Sequence, residues 1–124
     1  MNTEKQYVYK CVESGITKYV GITEDLSKRL YQHSIDILNK MKNPNVYYFP
    51  VKYRGDADVL ETYLINYYNT DKYYNVAKTQ NGIFSFLTGD VCDRLPWVLY
   101  NGNVDESLPL FSISGLTIGN KTEV

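Results

Sequence analysis

The chain has 124 residues, of which 44% are hydrophobic and 22% charged, a composition that predicts a single globular domain and argues against intrinsic disorder. Its formal net charge of −1 excludes a protein that holds nucleic acid by bulk positive charge alone. The charges are uneven, because residues 1–55 carry nine Lys and Arg against five Asp and Glu, whereas residues 56–124 carry four against nine. A phosphate-binding surface is therefore expected in the first half of the chain.

The sequence contains no obvious targeting or cross-linking feature. No apolar run approaches the roughly 18 residues of a membrane span, and the first residues lack the pattern of a signal peptide. Cys11 and Cys92 are too few and too isolated for a disulfide scaffold or a cysteine metal site. We therefore expect a cytoplasmic chain with reduced thiols and no membrane partner.

The beginning of the chain predicts a hairpin followed by a helix. Residues 6–12 and 16–22 are rich in β-branched and aromatic residues, and the short segment between them contains Gly15, as hairpin loops do. Thr23 is the candidate N-cap of the helix. Apolar residues spaced three and four apart predict that this helix continues to about Lys42.

A third strand and a second helix follow. Residues 46–53 predict the strand, in which Pro50 favours an edge position or a bulge. A turn at residues 54–56 leads into a helix at residues 57–68. We therefore predict an α/β fold, with a small three-stranded antiparallel sheet flanked by helices in the order β-β-α-β-α.

The last third of the chain has a different pattern, in which turn-forming Asn-Gly and Thr-Gly pairs separate short apolar runs. We predict a core at residues 1–79 and a C-terminal extension at residues 80–124. The extension carries two basic residues against five acidic ones, so it is not expected to hold a phosphate backbone by charge. Its apolar runs predict that it covers the sheet edge or an apolar helix face, or forms a homodimer contact.

Several polar side chains of the predicted elements lie within reach of one another. Tyr9 and Tyr19 lie on the two hairpin strands, while Arg29 and His33, four residues apart, share one face of the first helix. Glu61 lies within the second helix among apolar residues, where a carboxylate needs a partner. Taken singly, each has an ordinary structural explanation, since tyrosines on strands usually pack and helical arginines are usually solvated.

In combination, these residues resemble the GIY-YIG nuclease family. The first family motif corresponds to YVY at residues 7–9 and the second to YVG at residues 19–21. Residues 25–33 are similar to the family's helix, which carries an essential Arg followed one turn later by His or Tyr. Glu61, followed by an aliphatic pair, resembles the metal-binding glutamate of the family. Tyr7 stands where the family has its opening glycine.

The resemblance extends over residues 7–77 and implies an activity. Tyr74-Asn75-Val76 resembles the segment that closes the family's domain. The family implies a metal-dependent endonuclease, a hydrolase that cleaves DNA phosphodiester bonds. It also implies one divalent cation, bound by Glu61 and completed by waters and phosphate oxygens, for which Mg²⁺ or Mn²⁺ is suited.

The resemblance also implies roles for the remaining residues. Arg29 is expected to bind phosphate oxygens through its planar fork. Tyr9 is the preferred general base, with its pKa lowered by Arg29 and the cation, and Tyr19 is expected to orient water or metal. His33 is expected to relay a proton or contact phosphate, and Asn75 to fix the site or contact phosphate.

Two other classes of function compete with a nuclease at this point. One is a catalytically inactive GIY-YIG-like module that binds nucleic acid or a protein. The other is a structural or interaction protein whose tyrosine-rich surface mediates assembly, since 13 of the 124 residues are Tyr.

Overall fold

The computed structural model describes residues 5–76, 92 and 94–113 of the chain. The regular elements are β1 Gln6–Glu13, β2 Ile16–Thr23, α1 Leu26–His33, β3 Asn45–Val51, α2 Arg54–Tyr68 and β4 Val98–Leu99, with short 3-10 helices at Leu38–Lys40 and Thr70–Lys72. The strands form one sheet in the order β2-β1-β3-β4, and each neighbouring pair is antiparallel.

The β1–β2 hairpin has a tight turn that suits its sequence. Ser14 and Gly15 both have positive φ angles, 52° and 79°, which is the left-handed conformation required at the two central positions of a type I′ turn. The turn pairs Glu13 with Ile16, and a bulge between Cys11 and Val12 then shifts the register by one residue, so that Tyr9 lies directly opposite Gly21. On the far side of this bulge from the turn, the pairing is regular from Cys11 opposite Tyr19 to Tyr7 opposite Thr23.

The sheet is covered on both faces. Because side chains alternate along a strand, Val8 faces one way and Tyr9 the other. The α2 side chains Leu60 and Leu64 share a buried cluster with Val8, whereas Leu30 of α1 shares a second cluster with Tyr9. The two helices therefore contribute to separate cores on opposite sides of β1.

The predicted α/β fold with an antiparallel sheet is confirmed, but the sheet has four strands rather than three. The fourth strand, β4, comes from the segment that the sequence assigned to the extension, and it pairs with Tyr47 and Tyr48 of β3. Tyr100 continues the contact by donating its backbone N–H to the Val46 carbonyl at 2.8 Å. A two-residue strand carries too short an alternation to be recognised from sequence, although an open strand edge needs such a cover.

The first helix is shorter than predicted, ending at His33 instead of about Lys42. Beyond it the backbone N–H groups donate to carbonyls three residues earlier, as in a 3-10 turn. For example, the Asp36 N–H donates to the His33 carbonyl at 3.0 Å. Ser34 and Asp36 also bond to nearby backbone groups, which competes with helical hydrogen bonding. Met41 is nevertheless buried in the same cluster as Leu30, so the apolar spacing reported a shared core and not a continuous helix.

The N-cap of α1 also lies two residues later than predicted. Asp25, not Thr23, caps the helix, and its Oδ1 accepts the Lys28 backbone N–H at 3.1 Å. The Thr23 hydroxyl instead accepts the Asp25 N–H at 3.1 Å. Thr23 and Asp25 can both accept a backbone N–H and lie two residues apart, so the sequence pattern alone does not distinguish which of them is the N-cap.

The strand that contains Pro50 has only partial pairing on its outer side. β3 pairs with β1 throughout, and on its other side it meets the two residues of β4 and a single parallel bridge from Val51 to Phe111. Since proline has no N–H to donate, a continuous second ladder cannot run through this position. The Pro50 carbonyl instead accepts the Phe111 N–H at 2.9 Å.

Residues near the end of the chain contribute to both cores. Cys92 and Leu95 are buried in the cluster that contains α2, and Trp97 packs on that cluster. Val104 and Leu108 pack against the cluster that contains α1. No helix in the described ranges is long and apolar enough to cross a lipid bilayer.

A chain ending at Lys78 is therefore expected to be less stable or insoluble. It would lose β4 together with the buried Cys92 and Leu95, each of which fills space against the sheet. The loss of a single large buried side chain typically costs about 2–5 kcal/mol. Thermal unfolding of the shortened and full chains measures the difference, and a well-folded fragment with an unchanged melting temperature would contradict it.

Candidate active site

The candidate site is formed where α1 crosses the face of the sheet that carries Tyr9. Helix α1 buries Leu26, Leu30 and His33, which are spaced four and three apart and so lie on one side. His33 is therefore directed into the protein, where it is only 3% exposed. Arg29, one turn earlier, is half-buried at the edge of the same face.

A buried hydrogen bond joins the strand to the helix. The Tyr9 hydroxyl lies 2.7 Å from Nε2 of His33, and Tyr9 is fully buried. The Tyr19 ring completes the group, with its centroid 6.0 Å from that of Tyr9 and 5.0 Å from that of His33. The Arg29 guanidinium interacts with the hydroxyls of both tyrosines. The structure thus brings together four of the six residues predicted from sequence.

The Tyr9 ring fits in its position because Gly21 has no side chain. A Cβ on Gly21 would lie 2.5 Å from the Tyr9 Oη and 2.6 Å from its Cζ, far inside van der Waals contact. The ring of Tyr9 therefore lies across the backbone of Gly21, its register partner. The sequence analysis included Gly21 only as the third letter of a motif, and its role follows from this close approach.

Burial controls the protonation of the central pair. Burial raises the pKa of Tyr9 above its ordinary value, the neighbouring Tyr19 raises it further, and Arg29 offsets only part of the increase. Arg29 alone does not produce the lowered pKa that the sequence analysis expected from Arg29 and a cation together, because desolvation outweighs the attraction of one guanidinium. Burial, together with Arg29, lowers the pKa of His33. Near pH 7 the pair is therefore a protonated phenol and a neutral imidazole.

Arg29 remains charged in this setting. Burial alone would lower its pKa, but its interactions with Tyr9 and Tyr19 outweigh that effect and raise it. Its Nη1 also donates to Gln32 Oε1 at 3.0 Å. Beside Arg29 is an open groove of about 390 Å³ with a polar lining of Thr23, Glu24, Asp25, Lys28, Arg29 and Gln32. The guanidinium therefore lies beside a groove that is open to solvent and close to Tyr9 and Tyr19.

Asn75 fastens the segment after α2 to the strand that carries Tyr19. Its side-chain Oδ1 accepts the Val20 N–H at 2.8 Å, and its Nδ2 donates to the Val20 carbonyl at 2.9 Å. The neighbouring Tyr74 N–H donates to the Lys18 carbonyl at 3.4 Å. Both polar ends of the Asn75 amide are thus engaged by β2, an arrangement that fixes the site and favours this role over a phosphate contact.

Glu61 lies on α2, whose core is on the other side of β1 from the Tyr9 cluster. It is half-buried, and its neighbours one turn away on either side, Ala57 and Ile65, are fully buried. In the parts of the chain that the structure describes, no group of three or more His, Cys, Asp and Glu residues is arranged to hold a metal ion. A cation at Glu61 would therefore need ligands other than a cluster of these side chains.

Comparison with known families agrees with this geometry. A family model described as the GIY-YIG catalytic domain matches residues 6–75, which is more than half of the chain. The chain belongs to the GIY-YIG family. This is a family of nucleases, and the matched range extends from β1 to Asn75 and includes every candidate site residue. Comparisons with curated proteins and with solved structures gave no significant match.

One contact of this GIY-YIG site was not anticipated from the sequence. Nδ1 of His33, the ring nitrogen away from Tyr9, lies 3.4 Å from Oδ1 of Asp36. The available signal was the spacing, since an acid three residues after a histidine lies on the same side of a helical turn.

The close approach at Gly21 generates a prediction about stability. Gly21→Ala is expected to lower the free energy of unfolding by about 1–3 kcal/mol, because the buried Tyr9 ring must move to admit the methyl group. Gly55→Ala is the matched control, since a Cβ there meets nothing within 4 Å and the residue lies on α2. Chemical denaturation of both variants measures the difference, and equal stabilities would contradict the argument.

Proposed function

We propose that the protein is a divalent-metal-dependent endonuclease that hydrolyses DNA phosphodiester bonds. The observation that carries the proposal is the assembly of Tyr9, Tyr19, Arg29 and His33 around the 2.7 Å bond between Tyr9 and His33. Packing alone accounts for buried aromatic rings. It does not account for a guanidinium that lies beside an open polar groove and whose pKa is raised by the two neighbouring tyrosines.

Arg29 is proposed to bind the scissile phosphate. Its two terminal nitrogens can contact two phosphate oxygens at once, and its charge persists at every working pH. Charge that develops on the phosphate oxygens during attack is stabilised by such a fixed cation. Lys28 lines the same groove and adds a second positive charge for the DNA backbone.

Tyr9 and His33 are proposed to move the proton of the attacking water. The water gives a proton to Tyr9 Oη while the phenol proton passes to His33 Nε2, so Tyr9 never becomes a free phenolate. Because Tyr9 is fully buried in the protein alone, this step requires DNA binding to open a path for the water to its hydroxyl. This order suits a buried tyrosine with a raised pKa and a neutral imidazole. The water oxygen bonds to phosphorus, the bond to the leaving sugar oxygen breaks, and that oxygen takes a proton from solvent. Tyr19 orients the water.

Glu61 is proposed to hold the cation. A single carboxylate suits Mg²⁺ or Mn²⁺, which keep several waters and take further ligands from substrate phosphate. The other ligands in this proposal are waters and phosphate oxygens of the bound DNA. When bound, the cation supplies Lewis-acid stabilisation of charge on the phosphate and the leaving oxygen.

Plasmid nicking tests the activity and the metal assignment together. The wild-type chain is expected to nick supercoiled DNA with Mg²⁺ and to lose activity with chelator. Glu61→Gln is expected to abolish cleavage without unfolding the protein, because it keeps the side-chain shape and removes the charge. Asp58→Asn, an exposed change on the same helix, is the control. Cleavage by Glu61→Gln at the wild-type rate would overturn the metal assignment, and no wild-type nicking would favour the binding module.

Arg29→Lys tests the phosphate assignment. The charge is kept but the planar fork is lost, so the cleavage rate is expected to fall about a hundredfold with little change in DNA affinity. Arg54→Lys makes the same chemical change at an exposed position on α2 and should leave both unchanged. Single-turnover cleavage and a DNA-binding titration separate the two quantities. A parallel collapse of binding and cleavage would make Arg29 a binding residue only.

A further inference from the structure

The histidine of the site has a second partner that the proposed chemistry does not yet use. Asp36 lies just beyond the end of α1, and its Oδ1 is 3.4 Å from His33 Nδ1. The side chain of Asp36 is 61% exposed, but it is held in place because its carboxylate also accepts the Ile37 backbone N–H. The turn is closed by the Asp36 N–H, which donates to the His33 carbonyl at 3.0 Å. Asp36 is therefore held beside the His33 ring by two hydrogen bonds, one from its backbone N–H and one to its carboxylate oxygen.

This contact favours one of the two neutral tautomers of His33. An ionised carboxylate only accepts hydrogen bonds, so the Nδ1 facing Asp36 must be the donor. Nε2 then presents its lone pair to the Tyr9 hydroxyl, which is protonated and donates at 2.7 Å. The opposite tautomer would point an N–H at the Tyr9 hydroxyl and could not receive its proton.

The charged groups around His33 shift its pKa in opposite directions. Burial and Arg29 lower the pKa of His33, and Asp36 acts in the other direction. Among the described residues, the titratable groups that face the ring are Tyr9 on β1, Tyr19 on β2, and Arg29 and Asp36 on the α1 segment. Asp36 is the only anion in this set at neutral pH. An imidazolium formed during the reaction has no other negative partner among these groups.

We propose that Asp36 is a positioning residue, which holds His33 in the tautomer that receives the Tyr9 proton and stabilises the imidazolium that results. A carboxylate behind a histidine does the same for the histidine general base of serine hydrolases, where its amide replacement leaves the geometry but disturbs the tautomer. The catalytic part of this inference rests on the proposed nuclease function. The effect of Asp36 on the His33 ring does not.

The ring can be observed directly, because His33 is the single histidine of the chain. In ¹H–¹⁵N spectra of the imidazole, the wild-type protein is expected to show the tautomer protonated on Nδ1. Asp36→Asn keeps an oxygen for the Ile37 N–H and removes the charge. The expected result is a His33 pKa lower by about half a pH unit, the magnitude of an exposed ion pair, with a smaller population of the Nδ1–H form.

Two matched variants complete this measurement. Asp71→Asn removes an exposed carboxylate from the turn after α2 and should leave the histidine spectrum unchanged. Asp36→Glu keeps the charge and should keep the His33 pKa near its wild-type value. A wild-type ring protonated on Nε2, or an unchanged pKa and tautomer in Asp36→Asn, would overturn the proposal.

Cleavage kinetics test the catalytic part. Asp36→Asn is expected to lower the single-turnover rate about tenfold, a fraction of the usual contribution of acid–base catalysis, with unchanged DNA affinity. A wild-type rate in this variant would overturn the catalytic role of Asp36 while leaving the nuclease proposal in place. If the wild-type chain cleaves no DNA, the proposed function and this catalytic role both fail, and the spectra still decide whether Asp36 positions the ring.

Discussion

The close approach of Tyr9 to Gly21 is the constraint on which the rest of the site depends. The hairpin register sets these two residues opposite each other, and the missing Cβ lets the phenol ring lie across β2. In this position its hydroxyl meets His33, which α1 holds over the same face. A slip of one residue would turn every β1 side chain to the other face and place Val8 there instead.

The Tyr9–His33 bond has a structural as well as a chemical consequence. Both groups are buried, and a buried polar atom left without a partner costs about 1–3 kcal/mol. Because each group satisfies the other, the core next to α1 can contain a phenol and an imidazole without ionising either. The same desolvation that raises the Tyr9 pKa disfavours a free phenolate. Under the proposed function, proton transfer through the pair therefore requires a neutral, correctly oriented imidazole.

The sequence predicted those features that depend on local pattern. Alternation and spacing were sufficient for β1, β2, β3, α2 and the shared face of Arg29 and His33, and the antiparallel α/β fold is confirmed. The features that were not predicted depend on contacts between residues that are distant in the sequence. The end of α1 was misplaced because Met41, which lies beyond a turn, is buried in the same core as Leu30 and so continues the apolar spacing of the helix. Strand β4 was missed because two residues are too few to show an alternating pattern. The part that desolvation plays in the Tyr9 pKa was not foreseen, because burial is not visible in a list of neighbours.

The position of Arg29 connects the buried pair to the groove where we propose that DNA binds. Its guanidinium interacts with the tyrosine hydroxyls on one side and opens to the groove on the other. The chain as a whole carries a charge of only −1, so long-range attraction cannot supply the affinity. Glu24 and Asp25 also line the groove, beside Lys28 and Arg29, and leave it with little net charge of its own. Under the proposed function, affinity therefore depends on short-range contacts between the phosphate and a small number of groups, of which Arg29 is the one shared with the proton-transfer pair.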